Sequence, residues 1–357
     1  MNNIFKEILL RKKFNKKDFI LGPNPRTFEY IKSQTNKALK ILSKNKIKNK
    51  RIGILVEQGP VYGISLLSIV NSNNVVVLLS NDWTKLEIEK ILIHCEIEYV
   101  LTDNKKPKID YHSIDDIGLD NLYLLKTKIK SNIKSKNDEA VIIYSSGTTG
   151  DPKGVVLTKS SISSNVRAVI SYLKLSSKDK STIFTPTCYA FSLSQTLTHL
   201  YSGASLYPIT TKLLFPKDIL KAVEDYKITG LTGPPTTFRI LISSANKNKY
   251  NSVRYAQVGG TPFEEELSMK IRKSFPKAKI LNVYGCSENS PRACYLYLNK
   301  KLGLSKQGYF GVGKSVKNSK VEVIKDGKTA KINEIGEIVI SGKSLMKKYW
   351  KNDSLTK

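Results

Sequence analysis

Residues 140–158 read AVIIYSSGTTGDPKGVVLT. The first six form an apolar run of strand length, and VVLT at 155–158 forms a second short run ahead of a helical pattern. Between them Gly147, Gly150 and Gly154 let backbone N–H groups approach an anion closely. Ser145, Ser146, Thr148 and Thr149 add hydroxyl donors, and Lys153 adds charge. A strand leading into that density of donors predicts a phosphate cradle. It is not the common P-loop, because Pro152 stands where that motif needs glycine. A literal P-loop match does occur at 308–315 (GYFGVGKS), yet polar KKLGLSKQ precedes it and VKNSKVEVI follows it as loop then strand. That context predicts a loop entering β structure.

Working outward, apolar strand-length runs alternate with helical spacing. Strands are expected at 51–56 (RIGILV), 75–80 (VVVLLS), 97–102 (IEYVLT), 228–232 and 255–258, with a short one at 279–283. Helices are expected at 60–71, 84–95 with Asp82 or Thr84 as cap, 160–173, 216–226 and 262–275. The last, PFEEELSMKIRKSF, is read as opening on its proline with acids in its first turn. This βαβα alternation predicts an α/β fold of parallel sheets flanked by helices. From about residue 308 the pattern becomes strand, Asp326-Gly327 turn and strand, which predicts a small antiparallel β sub-domain over 308–357. Residues 1–307 then form an α/β region of two sub-domains. Their boundary is placed near 104–138, a Lys-, Asp- and Ser-rich stretch read as a long surface connection.

Of 357 residues, 59 are Lys or Arg and 30 Asp or Glu, a net charge of +29. Hydrophobic residues make up 40% and charged residues 25%, which excludes wholesale disorder and fibrous repeats. The excess charge lies along the whole chain as lysine beside Asn and Ile; only eight residues are arginine, and no basic run is interleaved with stacking aromatics. That distribution argues for a solvated basic surface and against a nucleic-acid partner. Cys95, Cys188, Cys286 and Cys294 form no CxxC pair, and the amino-terminal stretch has no cleavage-site pattern. The most apolar region, 61–79, is broken by Asn71, Ser72, Asn73 and Asn74, so no membrane span is expected. A reducing, cytoplasmic setting is expected.

Two further segments carry chemistry. YAQVGGTP at 255–262 ends a strand in Gly259-Gly260, where backbone could approach a flat ligand. NVYGCSEN at 282–289 follows a strand and offers an aromatic face, a hydroxyl and a carboxylate within five residues, suited to a stacked base, a phosphate contact and Mg²⁺.

Taken together, these motifs resemble the adenylate-forming ligase superfamily, which includes acyl-CoA synthetases, luciferases and nonribosomal-peptide adenylation domains. Residues 144–154 meet its signature loop without a gap, and Tyr284-Gly285-Cys286-Ser287-Glu288 meet its Tyr-Gly-x-Ser/Thr-Glu element. Gly336-Glu337-Ile338 through Gly342 to Tyr349-Trp350 match a third element, with Lys348 replacing the usual glycine. The resemblance runs from Thr27 onward and implies an AMP-forming acid–thiol ligase that uses ATP and Mg²⁺.

It implies that Ser145, Ser146, Gly147, Thr148, Thr149, Gly150 and Lys153 hold the ATP phosphates. Tyr284 would stack on adenine beside Gly259, Gly260 and Thr261, while Ser287 and Glu288 act catalytically, Ser287 at the α-phosphate and Glu288 as the metal ligand. A substrate carboxylate attacks the α-phosphorus, and the thiol of CoA or of an acyl carrier protein then takes the acyl group. Amino-acid-activating relatives place an Asp in the segment matching TPTCYAFSL at 185–193, but no Asp occurs between Asp179 and Asp218. Tyr189, Phe191 and Gly233, the last in GPPTTF at 233–238, are the expected pocket residues, for a neutral fatty or aryl acid. Family members continue into a Thr-Gly-Asp segment and a small domain with a catalytic lysine, whereas this sequence stops at Lys357. The expectation is that those parts come from a separate polypeptide or a longer parent protein. The alternative is a non-catalytic or split-enzyme subunit that binds ATP or acyl-adenylate.

Overall fold

The computed structural model describes residues 3–119, 121–145, 153–209, 215–246, 250–298, 304–305 and 307–356. Its frame is two large sheets, as the alternation predicts. The first has eight strands, with Glu139–Ser145, Val75–Leu78, Arg51–Leu55 and Tyr99–Thr102 parallel at its centre. The second has nine, with Lys279–Tyr284, Tyr255–Gly259, Gly230–Gly233, Lys180–Ile183 and Ser205–Pro208 parallel in that spatial order. A third sheet pairs Ser319–Lys325 antiparallel with Lys328–Thr329 on one side and Glu337–Gly342 on the other. The Asp326-Gly327 turn sits where expected, with both residues at positive φ (50° and 74°), the geometry of a tight hairpin.

A layer of helices joins the two large sheets. One apolar cluster runs from Ile52, Ile54, Val76 and Leu78 of the first sheet through Ile64, Leu66 and Leu67 of helix Pro60–Asn71. It continues through Leu193, Leu197 and Leu200 of helix Ala190–Ser202 to Ile183 and Leu206 of the second sheet. Residues 61–70 of Pro60–Asn71 are all buried, which explains why that helix reads as apolar on every side. Burying each such aliphatic side chain contributes about 1.5–3 kcal/mol before entropic costs. Thr84 rather than Asp82 caps Lys85–Cys95, its hydroxyl accepting from the Glu87 N–H while the Glu87 carboxylate accepts from the Thr84 N–H at 2.7 Å.

Two expectations need correction. Residues 104–138 are not a plain connection: Tyr111–Leu119 and Leu122–Thr127 form an antiparallel hairpin that extends the first sheet. Leu122, Tyr123, Leu124 and Leu125 are all buried in the inner strand. The outer strand is a charged, mostly exposed edge whose register shifts between Tyr111 and Ser113 and between Asp116 and Leu119, which erases its period-two pattern. The helix expected from Pro262 begins at Glu265, because Phe263 is buried and Glu264 is held in a bridge to Tyr309. In the later part of the chain, Lys314–Ser315 joins the second sheet and Lys348–Tyr349 returns to the first.

Candidate functional site

The phosphate-cradle sequence connects two antiparallel strands, Glu139–Ser145 and Lys153–Thr158, with Ser145 opposite Lys153 and Tyr144 opposite Gly154. Glu139–Ser145 is parallel to Val75–Leu78, so the connection leaves from the carboxyl end of the parallel strands, where open α/β sheets place their ligands. Ser146, Gly147, Thr148, Thr149 and Gly150 lie outside the described residues, as does the Ser145 side chain. Lys153 is half-buried at the root of the second strand.

Gly154 is there for close packing. A Cβ would stand 3.1 Å from the Trp350 Cβ and 3.2 Å from the Tyr144 ring. Trp350 N–H donates to the Gly154 carbonyl at 2.7 Å, and Lys348 and Tyr349 pair with Val156 and Val155. Tyr144 turns away from the loop into the core, its hydroxyl 2.7 Å from His94 Nδ1, and burial pushes its phenol far up. The signature tyrosine is therefore a packing residue.

In the second sheet, three neighbouring parallel strands end side by side, Gly233 opposite Val258 and Gly259 opposite Val283. A Cβ on Gly259 would meet Val283 Cγ2 and the Val283 carbonyl, both at 2.6 Å. Gly260 takes φ +99° with open space where a Cβ would be, and both it and Thr261 are exposed, leaving room for a flat ligand. Tyr284 ends its strand half-buried; burial, then the neighbouring cysteines and Glu288, raise its phenol. A Cβ on Gly285 would lie 1.8 Å from the Pro291 carbonyl oxygen, so this glycine lets the chain fold back over itself and project the short turn Ser287–Asn289.

Glu288 on that turn meets a partner that sequence reasoning did not assign. Its Oε1 accepts a hydrogen bond from the Tyr349 hydroxyl at 2.9 Å, and its backbone carbonyl accepts from the Met346 N–H at 2.6 Å. Burial first, and then the carboxylate beside it, raise the Tyr349 phenol to about 12. Tyr349 pairs by its backbone with the Lys153–Thr158 strand and by its side chain with Glu288, so it links that strand to the acidic turn. The Tyr-Trp motif is the signal that could have found it. Among the described residues no cluster of three or more metal-ligating side chains occurs. One carboxylate suits Mg²⁺, which takes one or two protein carboxylates and draws its remaining oxygens from substrate phosphates and water.

The residues expected to line a pocket separate. Phe191 lies under the Arg292 guanidinium, 3.8 Å from Cζ to ring centroid, which brings it against the segment after Glu288. Gly233 sits at its strand end with a notional Cβ 3.1 Å from Thr237. Tyr189 is 56% exposed at the start of Ala190–Ser202, near Cys188 and Asp82. The literal P-loop match has no helix after it; Lys314 is exposed, over the Tyr295 ring.

Known proteins resemble this chain along nearly its whole length. It is 28% identical over 235 residues to 4-coumarate–CoA ligase-like 2 of Arabidopsis thaliana, covering 65% of this chain and 40% of that protein. Acyl-CoA synthetase 7 of Caenorhabditis elegans is 29% identical over 255 residues, covering 65% and 45%. Tyrocidine synthase 3 of Brevibacillus parabrevis is 22% identical over 93% of the chain, a match to 5% of that protein. The chain thus spans less than half the length of these curated relatives. The solved N-terminal subdomain of Klebsiella oxytoca NpsA with 3-hydroxybenzoyl-AMSN shares the fold at TM-score 0.85 and 22% identity, over all of this chain and 91% of that one. The N-terminal domain of Mycobacterium tuberculosis FACL13 gives TM-score 0.84 at 18% identity, over 100% and 93%. No described helix is long and apolar enough to cross a membrane. The AMP-binding enzyme model matches residues 12–350, and the chain belongs to that family.

Proposed function

We propose that this chain forms the large domain of an AMP-forming acid–thiol ligase of the acyl-CoA synthetase type. The observation that carries the reading is the link made by Tyr349, which pairs by its backbone with the Lys153–Thr158 strand and donates to Glu288, on the turn that follows the strand lying beside Gly259. In this reading Lys153 and the connection before it hold the ATP phosphates, and Tyr284 stacks on adenine beside Gly259, Gly260 and Thr261. Ser287 reaches the α-phosphate. Glu288 would hold Mg²⁺, which supplies charge neutralisation for the phosphates.

The acid's carboxylate oxygen attacks the α-phosphorus, the bond to the bridging oxygen breaks, and pyrophosphate leaves with its electron pair. The thiolate of CoA or of an acyl carrier protein then attacks the acyl carbon and expels AMP. The side chains do no covalent work here; alignment and charge account for the rate. Phe191 and Gly233 flank the acid, and the lack of any Asp in 185–193 favours a fatty or aryl acid over an amino acid. A lysine-bearing C-terminal domain, on a separate polypeptide or in a longer protein, completes the reaction.

The test is acid-dependent exchange of labelled pyrophosphate into ATP, run with the 357 residues alone and with such a domain added. A missing preorganised cation costs about 10²–10³ in rate, so exchange is expected to be weak alone and to rise on addition. Exchange that stays at background with the domain present, while ATP still binds, favours the non-catalytic subunit. Failure to bind ATP at all refutes the site.

A further inference from the structure

Among the described arginines, Arg51 and Arg292 are the buried ones, at 1% and 3% exposure. Moving a guanidinium out of water costs several kcal/mol unless charge and hydrogen bonds replace the solvent. Arg51 has those replacements. Its Nε donates to the Cys95 carbonyl at 2.5 Å, Nη1 to the Ile133 carbonyl at 2.9 Å and Nη2 to Ser131 Oγ at 2.6 Å. The Glu96 carboxylate lies 3.6 Å away.

Arg292 has far less. Its Nε donates to nothing among the described residues, and no described carboxylate pairs with it. Its neighbours are the Phe191 ring face at 3.8 Å and the Tyr172 hydroxyl, which itself donates to Gln257 Oε1 at 2.6 Å. The Asn289 and Asn165 amide oxygens nearby are also buried with no donor among the described residues. Both amides are tied to this segment: Asn165 Nδ2 donates to the Asn289 and Arg292 carbonyls at 3.0 and 2.9 Å, and Asn289 Nδ2 donates to the Arg292 carbonyl at 3.3 Å. A chain with 59 cations, eight of them arginine, has thus buried one of the eight with no acid beside it among the described residues. The place matters. Arg292 follows Glu288 by four residues, its ring partner Phe191 is a pocket residue, and Tyr172 ties it to Gln257, two residues before Gly259.

We propose that Arg292 is the counter-ion for a second anionic group on the substrate, so the acid is a dicarboxylic acid or an aryl acid with a ring carboxylate. This rests on the adenylating reading and narrows it. A fixed guanidinium presents paired donors that match a carboxylate, and in a site closed to water the pairing gains from low dielectric. The same charge repels an α-ammonium group, in keeping with the absence of an Asp from 185–193.

The experiment uses non-hydrolysable acyl-adenylate analogues, N-acylsulfamoyl adenosines, titrated calorimetrically into the 357-residue chain. The matched pairs are hexanoyl against 5-carboxypentanoyl and benzoyl against 3-carboxybenzoyl. The carboxylated member of at least one pair is expected to bind at least about tenfold more tightly. Arg292→Met removes that preference and Arg292→Lys keeps part of it. Equal or tighter binding of the neutral member in both pairs, while both members bind, overturns the pairing and leaves the adenylate site standing. Binding of no analogue overturns the adenylate site and this inference with it. The wild-type comparison decides even where a variant fails to fold.

Discussion

Replacing Tyr349 by phenylalanine removes one oxygen and leaves the ring, which packs against the core, and the backbone pairing with Val155 in place. The lost contact is the 2.9 Å hydrogen bond to Glu288. Hydrogen bonds to a charged group contribute about 1.5–3 kcal/mol. Tyr349 is only half-buried, so water competes for the carboxylate and about 1 kcal/mol is the better figure. That energy acts on the orientation of Glu288 and so on metal-dependent binding alone. Since 1.4 kcal/mol is tenfold, the dissociation constant of Mg·ATP is expected to rise about fivefold. Metal-free ATP, measured in a chelator, is expected to bind within about twofold of wild type. Calorimetric titration under the two conditions separates them. Equal losses with and without Mg²⁺, or no loss in either, would refute the idea that Tyr349 acts through a metal-binding Glu288.

Two further outcomes follow from the same geometry. Lys153→Ala is expected to weaken ATP binding at least about tenfold while Lys314→Ala stays within about twofold, read by titration; the reverse pattern would move the phosphate site to 308–315. Asp179 is buried; burial raises its carboxyl, but the Arg254 guanidinium and the Ser176 and Thr229 donors overcome this and hold it below the ordinary 3.8. A lowered folded value means that its contribution is fully present above that ordinary value and is lost as the pH falls through the lower one. Asp179→Asn is therefore expected to cost about 2 kcal/mol at pH 7, because Arg254 is partly exposed, and less at pH 3. Urea midpoints at the two pH values check it; a gap that does not narrow refutes the assignment.

The parallel frame was legible because strands buried on both faces are nearly pure runs of Val, Ile and Leu, as at 51–55 and 75–78. The Gly259-Gly260 end and the Tyr284 element were legible because their glycines have a backbone cause: a Cβ would collide at Gly259 and Gly285, and Gly260 takes φ +99°. The hairpin at 111–127 was not, since its outer strand reads YHSIDDIGL and alternates poorly. Helix Ala190–Ser202 was read only as a pocket segment: it buries Ser192, Ser194, Gln195, Thr196, Thr198 and His199, polar residues that mask an apolar period. The bond from Tyr349 to Glu288 spans 61 positions and leaves no local trace.

The helix layer shared by the two sheets has a consequence for how the site behaves as matter. In the proposed reading its phosphate half belongs to one sheet and its base half to the other, and the same apolar cluster that holds Ile54 holds Ile183. The two halves therefore have no hinge between them and lose their alignment only when that cluster melts. A nucleotide bridging them acts as a rivet through a laminate. Occupancy should raise the temperature of a single cooperative transition rather than split it, and core damage far from the site should leave affinity intact until the whole molecule gives way at once.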